Sequence, residues 1–217
     1  MEIMPAIKVL NIEKGKIGIW KFQESSDELQ QIFRFSEKER EEFQSVKYEH
    51  RKKEYLTIRL LLEHLLGKKI EIFYTANGKP QLKNKSLFIS ISHSADLAVV
   101  LLSEKNAGVD VENTQRNTEK VATRFLSENE LNAIKNSRNP QLQRMLYWCA
   151  KEAAFKFSLW PEIEFKSQIN IHKFELNADG GIFSGQLSKN LPPIKLGFHY
   201  FFYENNVIVY CVEEEKF

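Results

Sequence analysis

The chain has 217 residues, 42% hydrophobic and 28% charged, enough apolar material for a real core and far from the composition of a disordered segment. Its 31 Lys and Arg against 29 Asp and Glu leave a formal charge of +2, which excludes a protein whose main business is wrapping nucleic acid; any basic site is local. Two cysteines, Cys149 and Cys211, are too few for a disulfide framework and point to a reducing compartment. Residues 1–10 lack the pattern of a signal peptide. The most apolar run, 97–102, is far shorter than the roughly 20 residues that cross a bilayer. A cytoplasmic protein is expected, with no membrane and no nucleic acid as partner.

In chain order, β-branched and aromatic runs predict strands over 17–22, 70–74, 87–92, 97–102 and 108–112. Between the first two lies a helix over 48–66. Tyr55, Ile58, Leu62 and Leu65 form its apolar stripe, and it stops just before Gly67. A second long helix is expected over 141–157. Strands then return over 169–176, 196–203 and 207–212, separated by turn signals at Asp179-Gly180-Gly181 and Asn205-Asn206. The reading is α+β. Arg34-Phe35-Ser36-Glu37-Lys38-Glu39 is echoed by Arg124-Phe125-Leu126-Ser127-Glu128-Asn129-Glu130, and each is followed at a similar distance by a helical Tyr, Tyr55 and Tyr147. Ser ahead of Glu is also a plain N-cap signal, so local chemistry alone can produce the match. A true duplication implies two similar halves, 1–105 and 106–217, in a pseudo-two-fold arrangement with a site along their seam.

Three fragments can carry chemistry. On a strand over 108–112, Asp110 and Glu112 share one face while Val109 and Val111 enter the core. Two adjacent carboxylates repel unless a cation lies between them, and such oxygen donors suit Mg²⁺ or Mn²⁺. Their bland alternative is a strand end with solvated acids. On the second long helix Glu152 and Lys156 share a face with Trp148; a surface i, i+4 ion pair accounts for them equally well. Gly78-Lys79-Pro80 is a turn that presents Lys79, and Ile91-Ser92-His93-Ser94 offers hydroxyl and imidazole groups to an anion. A Ser/His nucleophile pair is disfavoured, because adjacent strand residues face opposite ways and no Gly-x-Ser-x-Gly elbow is present.

Taken in order, Gly-Lys-Pro, Ile-Ser-His-Ser, Gly-Val-Asp-Val-Glu and Trp-Cys-Ala-Lys-Glu-Ala-Ala-Phe-Lys resemble the 4′-phosphopantetheinyl transferase family, in its longer surfactin-synthetase type. The resemblance is specific over 78–156 and looser elsewhere. It departs from the family at Ala107, where Val or Ile is usual, and in the span from Asp110 to Trp148, which is toward the short end for the longer type. It implies the pseudo-dimeric α+β fold and an enzyme that works as a monomer. It also implies transfer of the phosphopantetheine arm of coenzyme A to a serine of an apo acyl or peptidyl carrier protein, with release of 3′,5′-ADP. By the same resemblance Asp110, Glu112 and Glu152 hold Mg²⁺. Lys79, Ser92, His93 and Lys156 hold the phosphates, and Glu152 and Lys156 act on the reacting groups. Lys38 and Lys53 fall where the family has coenzyme-A-binding cations, while Glu41 stands where another cation is expected. A docking surface for an acidic carrier is expected over 116–144, with Leu126 and Leu131 as exposed apolar contacts. The same acids would serve a metal-dependent nuclease or phosphatase, or survive in a coenzyme-A-binding module without catalysis.

Overall fold

The computed structural model describes residues 6–84, 86–158, 160, 162–189 and 192–214; the first five residues, half of the segment tested for a signal peptide, lie outside them. Strands β1 (Ile7–Ile12), β2 (Gly15–Lys21), β5 (Phe88–His93) and β6 (Leu97–Ser103) form an antiparallel sheet in the order β1-β2-β6-β5. Between β2 and β5 the chain makes α1 (Ser26–Ile32), α2 (Glu37–Ser45), α3 (Glu49–Leu66) and a small hairpin, β3 (Ile72–Tyr74) and β4 (Pro80–Leu82). The second sheet, also antiparallel, has the order β7-β11-β10-β9-β8, from β7 (Ala107–Asn113), β8 (Ile169–Ile171), β9 (Gly181–Leu187), β10 (Ile194–Tyr203) and β11 (Asn206–Glu213). Helices α4 (Ala122–Phe125), α5 (Glu128–Lys135), α6 (Pro140–Phe157) and α7 (Phe165–Gln168) fill the connection from β7 to β8. The fold is α+β, as the sequence predicts.

Each sheet has a helix on one face and the other sheet on its second face. Leu56, Leu61, Leu62 and Leu65 of α3 pack with Ala98, Val100 and Leu102 of β6. Leu97, Val99 and Leu101, on the opposite face of β6, pack with Ile17, Ile19, Val109, Val111 and Ile208 between the sheets. Covering on both faces explains why 97–102 is unbroken apolar sequence rather than an alternating strand. Met145, Cys149, Ala153 and Phe157 of α6 lie in a third cluster, with Phe198, Val209 and Cys211 of the second sheet.

The two sheets meet edge to edge, β5 beside β7 and parallel to it, without a backbone ladder. Serine hydroxyls make the joint: Val109 N donates to Ser90 Oγ (3.0 Å) and Val111 N to Ser92 Oγ (3.3 Å).

The sequence echo is a structural repeat. Ser36 and Ser127 are N-caps of α2 and α5, each closing a capping box with the glutamate at the third helical position, Glu39 and Glu130. Both glutamates are buried and reach a cation on the following long helix: Glu39 pairs with Arg59 at 3.8 Å and Glu130 with Lys151 at 2.9 Å. The topology repeats too, since β2 and β7 each pair with the last strand of their sheet, β6 and β11.

Some elements differ from expectation. The strand expected over 169–176 ends at Ile171, and β1, β4 and β9 were not foreseen. β1 alternates weakly, β4 begins at a proline, and Gly181 and Gly185 dilute β9. Leu126, expected as an exposed docking residue, is fully buried in the α6 cluster, whereas Leu131 is partly buried.

Candidate active site

Gly108 decides where the chemistry can sit. A Cβ there would stand 2.0 Å from the Ala153 carbonyl oxygen and 2.7 Å from Phe157 N, so only glycine lets α6 lie against β7. That contact places Lys156 over the β7 face carrying Asp110 and Glu112, whose neighbours Val109 and Val111 point into the inter-sheet core. Asn139 caps α6 by accepting from Leu142 N, with Pro140 in the first turn, which sets where the helix starts.

Asp110 is buried, and its Oδ1 accepts from Lys156 Nζ and from Ser92 Oγ, both at 2.8 Å. Lys156 Nζ also donates to Ser92 Oγ at 2.8 Å. The ion pair of Lys156 is therefore with Asp110 of the strand beneath α6, not with Glu152 one turn away. Glu112 Oε1 accepts from Trp148 Nε1 at 2.9 Å and from Arg116, whose guanidinium also lies over the Trp148 ring at 5.8 Å. The carboxyl of Glu152 is pushed up to about 7, first by burial and then by the negative charge of Asp110, against the pull of Lys156. Lys79, in the β3–β4 turn that Gly78 makes with φ 73°, donates to the Lys156 carbonyl at 3.2 Å; burial lowers its ammonium to about 8.

Three neighbouring hollows converge here. One of about 630 Å³ is lined by Arg51, Tyr74, Ser92, His93, Asp110, Glu112, Trp148, Glu152 and Lys156 among others. A second of about 790 Å³ shares Glu54, His93, Glu112 and Arg116 with it and adds Phe22, His50 and Lys53. A third of about 620 Å³ shares Lys156, Gly78, Pro80 and Ile91 with the first; Lys79 joins its lining, and its walls are mainly apolar, with Leu87, Phe88, Phe155 and Trp160.

Asp110, Glu112, Glu152, Lys156, Ser92 and His93 thus line one hollow, with Lys79 in the adjoining one. Lys53 lies apart in the second hollow, its ammonium 5.7 Å from the Phe22 ring. Lys38 faces Glu42 on α2 at 3.7 Å and lines none of the three. Arg51 and Glu54 line the site without having been singled out from sequence, and Arg116, expected at the start of the docking surface, lines it too. Arg51 and Glu54 read as ordinary charges on the exposed face of a helix.

The acids suit a divalent cation in donor chemistry. Asp110 Oδ2 is buried and has no hydrogen-bond partner, and Glu152, raised first by burial and then by the charge of Asp110, lines the same hollow. Among the described residues, no three His, Cys, Asp or Glu are already gathered in metal-binding positions; Lys156 and Arg116 now occupy oxygens of Asp110 and Glu112.

No curated protein matches the chain. Also among the described residues, no helix is long and apolar enough to cross a membrane. Residues 106–199, a little under half of the chain, match the family model ACPS, the 4′-phosphopantetheinyl transferase superfamily. The segment that holds Asp110, Glu112, Glu152 and Lys156 is therefore similar to a phosphopantetheinyl transferase domain, which supports a transferase.

Proposed function

We propose that the protein is a Mg²⁺-dependent 4′-phosphopantetheinyl transferase of the surfactin-synthetase type. It moves the phosphopantetheine arm of coenzyme A to a serine of an apo acyl or peptidyl carrier protein and releases 3′,5′-ADP. The observation that carries this reading is the helix-on-strand contact at Gly108, which sets three carboxylates and a lysine around one hollow at the joint of two sheets. We read the chain as halves 1–105 and 106–217, the first supplying mainly coenzyme A contacts and the second the acids.

In this reading Asp110, Glu112 and Glu152 hold the cation, which when bound neutralises pyrophosphate charge. Lys79, His93 and Lys156 bind phosphate oxygens, with Ser92 fixing the Lys156 ammonium. The amide-bearing, largely apolar pantetheine arm suits the hollow walled by Phe155 and Trp160, which opens beside Lys79 and Lys156. The carrier serine oxygen attacks the β-phosphorus while its proton passes to Glu152, directly or through a water. The bond to the bridging oxygen breaks, and its electron pair leaves on 3′,5′-ADP beside Lys156. Lys53 belongs to the coenzyme A contacts only if the ligand extends into the hollow beside Phe22 and His50, and Lys38 only through outer phosphate charge.

The carrier docks over 116–144 through exposed Arg124, Lys135 and Val121, without Leu126. Buried, free Cys149 and Cys211 are in keeping with a reducing, cytoplasmic setting, and the internal repeat with action as a monomer. The decisive experiment is intact-mass measurement of several apo carriers after incubation with coenzyme A, Mg²⁺ and the protein. A carrier gaining one phosphopantetheine, with at least about 100-fold slower gain for Glu152→Gln or Asp110→Ala, is expected. Folded protein that modifies no carrier overturns the reading, and phosphodiester hydrolysis in its place would favour the nuclease alternative.

A further inference from the structure

The hollow that holds the acids is also lined by a charged triangle around His93, two of whose members, Arg51 and Glu54, have no part in the proposed transfer. Glu54 Oε1 lies 3.2 Å from His93 Nδ1, and Glu54 Oε2 accepts from Arg51 Nη1 at 2.8 Å. Arg51 Nη1 is in turn 3.3 Å from His93 Nε2. A guanidinium has donors only, so Nε2 must accept and the ring proton must sit on Nδ1, donated to Glu54. Free protein therefore holds His93 as a neutral imidazole with a fixed tautomer.

The two partners of His93 differ in freedom. The Glu54 side chain is 14% exposed and engaged at both oxygens, while that of Arg51 is 54% exposed at the mouth of the hollow. Arg51 can turn away at little cost; Glu54 cannot. We propose that Glu54 is the positioning residue of His93 and that Arg51 is a displaceable stopper on Nε2, which leaves for an incoming phosphate and lets His93 become a second cation toward it. His93 then takes its extra proton from solvent at Nε2, keeping Nδ1–H on Glu54. The proposal rests on the transferase reading for the identity of the anion, not for the triangle itself.

The charges around His93 are Arg51 and Glu54 from α3, Asp110 from β7 and Lys156 from α6, with Glu112 and Arg116 in the same hollow and His50 and Lys53 of α3 in the adjoining one. Burial is the largest influence and lowers the imidazole; Glu54 raises it, and Arg51 and Lys156 lower it further. Loss of Arg51 from Nε2 therefore favours the imidazolium.

Nitrogen NMR of the His93 ring, assigned with a His93→Gln control, tests this directly. In ligand-free protein the Nδ1–H tautomer is expected. Arg51→Gln should raise the titration midpoint and Glu54→Gln should lower it, each by about one pH unit. Inorganic pyrophosphate should raise the wild-type midpoint by more than it raises that of Arg51→Gln. In the transfer assay Glu54→Gln should raise the coenzyme A KM about tenfold with a smaller change in kcat. An Nε2–H tautomer in free protein, or an Arg51→Gln midpoint equal to wild type, overturns the proposal. Should Glu54→Gln fail to fold, Arg51→Gln decides alone. Carriers that stay unmodified while the midpoints move as stated would sink the transferase reading and leave the triangle standing.

Discussion

The β2–α3 and β7–α6 units are built alike and equipped differently. In each, a glycine on the strand receives the long helix: Gly108 faces the backbone of Ala153 and Phe157, and Gly18 faces the side chains of Leu61 and Leu65. Counting from these glycines, Trp20 on β2 and Phe22 just after it stand where β7 carries Asp110 and Glu112. Counting from the paired cations Arg59 and Lys151, α3 carries Leu60 and His64 where α6 carries Glu152 and Lys156. The scaffold thus comes from glycine contact, capping box and buried ion pair. Chemistry is a separate layer of four side chains, filled with bulk in one unit and with charge in the other.

The comparison breaks first at the glycines. Gly108→Ala drives a methyl into a carbonyl oxygen that cannot move without the helix, so little folded protein is expected. Gly18→Ala meets the ends of two leucine side chains that can rotate, and should cost about 1–3 kcal/mol by chemical denaturation. Equal effects would show that the two contacts are alike after all.

The buried pairs sharpen it next. Lys151 is fully buried, held by Glu130 and by the carbonyls of Phe165 and Ile169. Glu130→Gln leaves that charge uncompensated and should cost about 3–5 kcal/mol. Arg59 has Glu42 in reserve, so Glu39→Gln should cost less, about 1–3 kcal/mol. Burial, the largest influence on Glu39, raises its carboxyl, yet hydrogen bonds from Lys69 and Ser36 hold it below the usual carboxylate range. The stabilisation from Glu39 is therefore complete above the ordinary glutamate value and lost as pH falls through the lower folded one. Glu39→Gln should flatten the acid limb of the stability curve.

The smallest effects separate site from surface. With Lys79 lowered to about 8, its charge disappears as pH rises through that value, and coenzyme A KM should climb about tenfold between about pH 7 and about pH 9. Lys79→Arg should remove the climb. Lys38→Ala, which loses only an exposed partner, should change KM by less than about twofold.

Sequence alone placed both long helices, most strands and the facing of Asp110 and Glu112, because periodicity and capping are local. It also exposed the duplicated Ser–Glu boxes, though not that both glutamates turn inward, which needs the cation on the next long helix to be seen in space. Lys156 looked like a partner for Glu152 on one helix face; its true partner, Asp110, comes from another element, the strand beneath the helix. Arg51 and Glu54 were illegible for the same reason, since their meaning depends on His93 arriving from β5.

The serine joint between β5 and β7 bears on how the molecule meets copies of itself. An unpaired strand edge is a template for adding foreign strands. By setting β5 and β7 against one another and satisfying Val109 N and Val111 N with hydroxyls, the seam retires one edge of each sheet. What remains open is the far edge of the first sheet, β1 with exposed Val9; the outer edge of β8 is taken up by the buried pair, Lys151 Nζ donating to Ile169 O and Ile171 N to Glu130. Replacing Ser90 or Ser92 by alanine would therefore do more than remove a hydroxyl from the seam. It would put two inner edges back on offer, so that the first symptom of a failing seam is self-association rather than unfolding.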